Sequence, residues 1–221
     1  MDARAAGTEP AVTELAGPVD QEPVVGFPPL STRARKREER RDRVYEAAIG
    51  LFVEQGFDAT SMEDIAARAG LARATVFNHF ARKGLFLEEW ALRRRQRAAR
   101  ATGRFDPSVL PLREVLERYF AALAAVNLET RTETKAMMPA SLKSTDVFLD
   151  HVLAKDLAAL VEASGAALRP PSDPARVGRL LALGYYSAVV RWIDAEPAPF
   201  RLDEELSAVL EAVLRGALNS A

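Results

Sequence analysis

Cysteine is absent from the 221 residues, and histidine occurs only as His79 and His151. The missing thiols exclude disulfides, thiolate nucleophiles, zinc knuckles and cysteine-held iron–sulfur clusters. Two histidines so far apart in the chain form no His-x-x-x-His pair, so no metal, no cofactor and no catalytic residue is expected. Isoleucine is scarce as well: 3 Ile and 18 Val stand against 40 Ala and 26 Leu. Strong helix formers therefore far outnumber aliphatic β-branched residues, which predicts an all-α fold. No run approaches the ~18 apolar residues of a membrane span, and Met1–Leu30 lacks a basic segment followed by an apolar one. The expectation is a cytoplasmic protein with no membrane partner.

What is present is unevenly distributed. Lys and Arg total 30 and Asp and Glu 31, a net charge of −1. Residues 1–30 carry −4 with five prolines, which predicts a disordered acidic tail. Residues 31–100 carry +6, and residues 101–221 carry −3. The basic excess coincides with helical patterning. After the run T-R-A-R-K-R-E-E-R-R-D-R at 32–43, Val44, Ala47, Ala48, Leu51 and Phe52 recur at helical spacing and stop at Gly56, predicting a helix over 35–55.

A capping-box pattern follows, Thr60 with Glu63, repeated one register along by Ser61 with Asp64. It opens a short helix that carries Ile65 and Ala66 inward and ends at Gly70; a second short helix spans 73–80. Two short helices joined by a glycine-containing turn form a helix-turn-helix, and the small Ala66 lets them approach closely. A further helix over 85–101 follows, and Gly103 and Pro107 break it near the expected boundary between residues 31–104 and 105–221.

The run G-F-D-A-T-S-M-E-D-I-A-A-R-A-G-L-A-R-A-T-V-F-N-H-F-A-R-K-G-L-F resembles the DNA-binding segment of TetR-type transcriptional regulators. The likeness covers about residues 37–92 and rests on the order Gly56-Phe57, Thr60, Ile65-Ala66, Gly70, Thr75, Phe80, Lys83 and Leu85. It implies an N-terminal three-helix DNA-binding domain, a C-terminal helical domain for effector binding and dimerisation, and double-stranded DNA as partner. The helix 73–80 would enter the major groove, Arg73 forking onto guanine and Ala74 or Thr75 touching a thymine methyl. Thr60 and Ser61 would hold phosphate through hydroxyls or backbone N–H groups. His79 and Lys83 match positions that contact phosphate in the family. Phe77 departs from the tyrosine usual there, losing one hydroxyl, and its neighbour Asn78 is placed to bind adenine or phosphate instead. The basic run 33–43 is either a solvated helix face or an extension over the DNA backbone or into a minor groove. The run Arg93, Arg94, Arg95 reads as a solvated face.

Helices are expected in the C-terminal half over 112–127, 129–138, 145–165, 174–194 and 202–218, with Pro139, Pro170-Pro171, Pro197 and Pro199 in the gaps. The last helix places Leu202, Leu206, Val209, Leu210, Val213, Leu214, Ala217 and Leu218 on one face. Gly184 and Ala188 in the preceding helix permit close helix approach. By resemblance, these two helices would form a four-helix bundle with their copies in a homodimer, with the DNA target an inverted repeat. Between boundary and dimer helices, Phe105, Tyr119, Phe120, Met137, Met138, Phe148, His151, Tyr185, Tyr186 and Trp192 are candidate contacts for an apolar or aromatic small-molecule effector, or else ordinary core.

Two functions are weighed: a ligand-responsive repressor, and a DNA-binding regulator whose C-terminal half takes a protein partner. An enclosed cavity of several hundred Å³ would favour the first and a filled core the second. An enzyme is not expected, since no acid pair or nucleophile with an adjacent base is evident.

Overall fold

A computed structural model describes residues 31–103, 106–144 and 151–218; the expected tail 1–30, Phe105 and Phe148 lie outside them. The described residues are helical with no strand, in the order α1 (Thr32–Gln55), α2 (Met62–Ala69), α3 (Arg73–His79), α4 (Gly84–Ala101), α5 (Leu112–Glu129), α6 (Arg131–Ser144), α7 (Val152–Ala163), α8 (Pro174–Asp194) and α9 (Leu202–Ala217). None of these helices is long and apolar enough to cross a membrane.

Local sequence explains several helix ends. Ser31 caps α1, its hydroxyl accepting from the Ala34 N–H. The capping box of α2 belongs to Ser61 and Asp64, not to Thr60 and Glu63: Ser61 Oγ accepts from the Asp64 N–H and Asp64 returns the bond to the Ser61 N–H. Gly70 ends α2 at φ 65°, ψ 36°, the left-handed conformation in which a side chain would be strained. Asp173 caps α8, with Pro174 in its first turn. At the other end of the chain, Arg169 caps α9, its guanidinium donating to the Gly216 and Arg215 carbonyls.

Pro139 is a correction. It lies inside α6 rather than in a gap, so the helix expected to stop at 138 continues to Ser144. One missing N–H does not end a helix whose Met137 and Met138 are anchored in the core. The helix expected over 145–165 is α7; His151 caps it by accepting from the Leu153 N–H at 3.1 Å.

In the N-terminal part, α1 packs across α2, α3 and α4 around Val44, Ala48, Phe52, Ile65, Val76, Phe80 and Phe86, all buried. Phe80 stacks on Phe86 at 4.1 Å between centroids, and Phe86 meets Phe52 edge-on at 5.9 Å. Each such ring stabilises the head by roughly 1.5–3 kcal/mol through burial alone. In the C-terminal part α8 is the central helix, packed against α7, α9 and α6. It approaches α7 and α9 at two glycines: a Cβ on Gly178 would lie 2.4 Å from the Ala154 carbonyl oxygen, and one on Gly184 would lie 2.3 Å from Val209 Cγ1.

The apolar stripe of α9 is used within the subunit. Leu202, Leu206, Leu210, Leu214 and Ala217 are buried against α5 and α8, which leaves Ala208, Ala212 and Gly216 exposed. On α8 the exposed apolar residues are Leu180, Leu183 and Val190, at helical spacing along one side.

Candidate nucleic-acid interface and effector site

Helix α3 is held by its buried side, Val76 with the following Phe80, while Arg73, Ala74 and Asn78 are exposed and Thr75, Phe77 and His79 half-buried. Arg73 pairs with Glu63 at 2.7 Å and lies over the Phe77 ring at 5.2 Å. The carboxylate keeps the guanidinium extended beside the helix, and the aromatic ring supports it from below. The indices of exposure thus agree with a helix that presents Arg73, Ala74, Thr75 and Asn78 outward.

The base of α3 is fixed by α1. Arg41 lies over the Phe80 ring at 4.3 Å, donates from Nη1 to the His79 carbonyl at 3.0 Å and from Nη2 to Glu89 Oε2 at 2.8 Å. A cation at a helix C-terminus satisfies an orphan carbonyl and complements the helix dipole. Between the start of α1 and α3 opens a cleft of about 850 Å³ lined by Ser31, Arg33, Ala34, Arg37, Glu38, Arg40, Arg41, Thr75, Asn78 and His79. Four arginines and one carboxylate on one concavity make a strongly positive surface. Partial burial, together with the charges of Arg37, Arg41 and Arg40, holds the His79 imidazole below its ordinary pKa.

Two expected phosphate contacts are placed differently. Thr60 is 2 % exposed; its hydroxyl donates to the Gly56 carbonyl at 2.8 Å and accepts from Gln55 Nε2 at 3.2 Å. Its hydroxyl locks the α1–α2 turn and is turned away from solvent, so of the two hydroxyls only that of Ser61 belongs to a residue that is not buried. Lys83 Nζ donates to the carbonyls of Phe57 at 2.7 Å, Thr60 at 2.9 Å and Asp58 at 3.2 Å, and lies over the Phe57 ring. All three ammonium protons are occupied, so a phosphate would have to displace a carbonyl. Of the run 33–43, which the sequence leaves as either a solvated face or a DNA-backbone extension, Arg33, Arg37, Arg40 and Arg41 line the cleft beside α3.

Residues 44–89 match the family model described as "Bacterial regulatory proteins, tetR family". The HTH-type transcriptional repressor KstR of Rhodococcus jostii is 27% identical over 193 residues, covering 86% of this chain and 89% of that protein. Among solved structures, the TetR-family repressor FadR of Thermus thermophilus, in complex with lauroyl-CoA, is 27% identical with a TM-score of 0.57, covering 82% of this chain and 96% of that one. A TetR regulator from Rhodococcus sp. RHA1 shares the fold at a TM-score of 0.61 and 16% identity, covering 81% and 97%. Over residues 44–89 the chain matches the DNA-binding domain of this family, and over most of its length it is similar to TetR-family transcriptional regulators.

The C-terminal part holds two spaces. A central cavity of about 20 Å³ is lined by Trp90, Ala91, Arg94, Arg95, Leu123, Met138, Ser141, Leu153, Tyr185 and Tyr186. A groove of about 590 Å³ opens beside it between α4, α5 and α7, lined mainly by Leu92, Arg95, Gln96, Ala99, Tyr119, Val152, Asp156, Ala159 and Leu160. Of the candidate effector contacts, Met138, Tyr185 and Tyr186 meet at the cavity and Tyr119 lines the groove. Phe120, Met137 and Trp192 line neither and are buried core, because their helix faces turn inward; Trp192 lies under the Arg131 guanidinium.

His151 is also buried. With Nδ1 accepting from the Leu153 N–H, the neutral ring carries its proton on Nε2, which lies 2.8 Å from the Tyr186 hydroxyl. Burial, then the charge of Arg95, lowers its pKa to about 4. Burial likewise raises the Tyr119 and Tyr186 phenols well above their ordinary value.

The three consecutive arginines do not form a solvated face. Arg93 pairs with Glu89 at 2.8 Å and Asp42 at 2.6 Å, and Arg95 pairs with Asp156 at 2.8 Å. Arg94 is 8 % exposed and reaches Asn127 Oδ1 at 2.7 Å and Thr130 Oγ1 at 2.5 Å. Successive helical residues are about 100° apart, so three in a row point three ways.

Proposed function

We propose that this regulator is a ligand-responsive repressor that binds an inverted-repeat operator as a homodimer in the cytoplasm. Residues 31–104 would read DNA and residues 105–221 would bind the effector and pair the subunits. The observation that carries the reading is the arginine-lined cleft beside the exposed residues of α3: it places cations for the phosphate backbone next to side chains suited to base edges. Arg73, Ala74, Thr75 and Asn78 would face bases, Ser61 and the α1 arginines the backbone, with Phe77 and His79 at the edge. Lys83 would join them by surrendering one carbonyl.

One short helix reads too few base pairs, so two copies about 34–36 Å apart are required by the geometry of B-DNA. The exposed Leu180, Leu183 and Val190 of α8 and the small Ala208, Ala212 and Gly216 of α9 support pairing through these helices. Effector control is supported by the 590 Å³ groove beside α4, because α4 carries both Arg93, tied to α1, and Arg94, facing the cavity. A 100-fold loss of operator affinity needs about 2.7 kcal/mol of coupling. The larger space is a groove open to solvent, and the central cavity is small. KstR and FadR are each described as a repressor, which supports that sign of regulation here.

Selection of bound sequences from a random DNA pool tests the proposal. Recovery of a two-fold-symmetric motif with half-sites one helical turn apart is expected, and Arg73→Ala should cost about 1–3 kcal/mol and relax preference at one base pair per half-site. Recovery of no motif, or equal loss by Arg73→Ala on specific and random DNA, rejects the base-reading role.

A further inference from the structure

Among the described residues Arg94 is a buried cation without an anion. It has no carboxylate within ion-pair distance among the described residues; its acceptors are the neutral oxygens of Asn127 and Thr130, and its guanidinium lies over the Trp90 ring at 4.6 Å. Asn127 is held in that orientation by donating from Nδ2 to the Leu123 carbonyl at 2.7 Å and to the Tyr185 hydroxyl at 2.9 Å. Burial pulls the Arg94 pKa below its ordinary value, opposed by Tyr185 through its charge and a side-chain hydrogen bond and by the charge of Glu133. Trp90, 2 % exposed, lines the same cavity, and its indole N–H is buried with no acceptor.

A guanidinium and an orphaned N–H bordering one cavity are both donors lacking an anionic acceptor. Buried polar groups left this way are costly unless something completes them. A carboxylate supplies what both lack, accepting from the guanidinium fork and from the indole together. A polyanionic phosphate fits poorly, because Arg95, the other cation of the cavity wall, is already neutralised by Asp156.

The cavity and the groove share Arg95 on their walls, and the groove beyond is mainly apolar, with Leu92, Val152 and Leu160. We infer that the effector is a monoanionic amphiphile, a carboxylate seated between Arg94 and Trp90 with an alkyl or aryl tail leading into the α4–α5–α7 groove. This deepens the effector reading given under Proposed function and rests on it. The cavity has room for about one water, so the head enters as flexible neighbours such as Met138 give way.

The test uses the full-length protein with sodium laurate, 1-dodecanol and lauroyl-CoA, measured by calorimetry and by intrinsic fluorescence, for which Trp90 is a reporter. Laurate is expected to bind at least tenfold more tightly than dodecanol. Arg94→Gln keeps an amide donor for Asn127 and should abolish that preference; Trp90→Phe keeps the ring, and should weaken laurate three- to tenfold with dodecanol unchanged. Equal binding of laurate and dodecanol by the unaltered protein, or no binding of laurate, overturns the inference. So does undiminished laurate binding by Arg94→Gln or, should that variant fail to fold, by Trp90→Phe.

Operator binding by the selected DNA separates the two readings. If laurate binds through Arg94 and leaves DNA affinity unchanged, ligand control fails and the carboxylate site stands. If dodecanol or lauroyl-CoA releases DNA equally from the unaltered protein and Arg94→Gln, ligand control stands and the carboxylate site fails.

Discussion

Arg93 and Arg94, consecutive on α4, face opposite worlds: Arg93 bonds Asp42 and Glu89 beside the DNA-reading head, and Arg94 is buried against Asn127 and Thr130 in the helical domain. Glu89 also holds Arg41, whose other nitrogen bonds the last carbonyl of α3. A chain of charge-assisted bonds therefore runs from the α4 residue next to the cavity to the base of the recognition helix, which is the kind of physical network through which coupling can travel.

Glu89 is the node of that chain. Burial alone would raise its pKa, yet the hydrogen bonds and charges of Arg93 and Arg41 hold it below 4.5. Glu89→Gln should cost about 1–3 kcal/mol by urea denaturation at pH 7, because two guanidinium groups lose a charged acceptor. A depressed carboxylate stabilises the fold above its unfolded pKa and loses that contribution as pH falls through the folded one, so the two proteins should converge in stability as the solution is made more acidic than that folded pKa.

Lys83 is expected to affect stability before it affects DNA. Lys83→Met leaves the carbonyls of Phe57, Asp58 and Thr60 without their shared donor and should lower stability by about 1–3 kcal/mol. If Lys83 also reaches phosphate, the slope of log affinity against log salt falls by about one unit; if it stays with the carbonyls, the slope is unchanged.

His151 predicts an acid limb. Its folded pKa of about 4 lies below 6.5, so the unfolded chain binds more protons between these values and stability falls as pH drops from 6.5 towards 4. Allowing for partial solvation of the charged ring, the loss is about 1–2 kcal/mol. His151→Gln should flatten thermal denaturation across that window.

Gly178→Ala should destabilise by about 1–3 kcal/mol in chemical denaturation, although alanine is the better helix former by about 1 kcal/mol. The added methyl would meet the Ala154 carbonyl oxygen at 2.4 Å and the Ala158 nitrogen at 2.8 Å, backbone atoms that cannot swing aside.

Helix boundaries were legible where residues act locally: Gly70 with its left-handed turn, Asp173 before Pro174, and the periodic apolar face of α9. The same local logic leaves two capping pairs open, since Thr60 and Ser61 both fit the pattern and the buried bond of Thr60 to Gly56 separates them. Pro139 misled because tertiary anchoring of its neighbours outweighs one lost bond. The α3 residues were legible through spacing; the Arg94 site was not, because nothing in three adjacent arginines says which one the fold turns inward. The 100° step between them was the available signal.

The glycine approaches of α8 also bear on how force can move through the molecule. With Gly178 seated against the α7 backbone and Gly184 against Val209 of α9, there is no slack on either flank for α8 to slide or roll. These three helices then travel as a rigid chassis, and the compliance needed for switching falls to α4, whose lateral ties are side-chain ion pairs that can exchange partners.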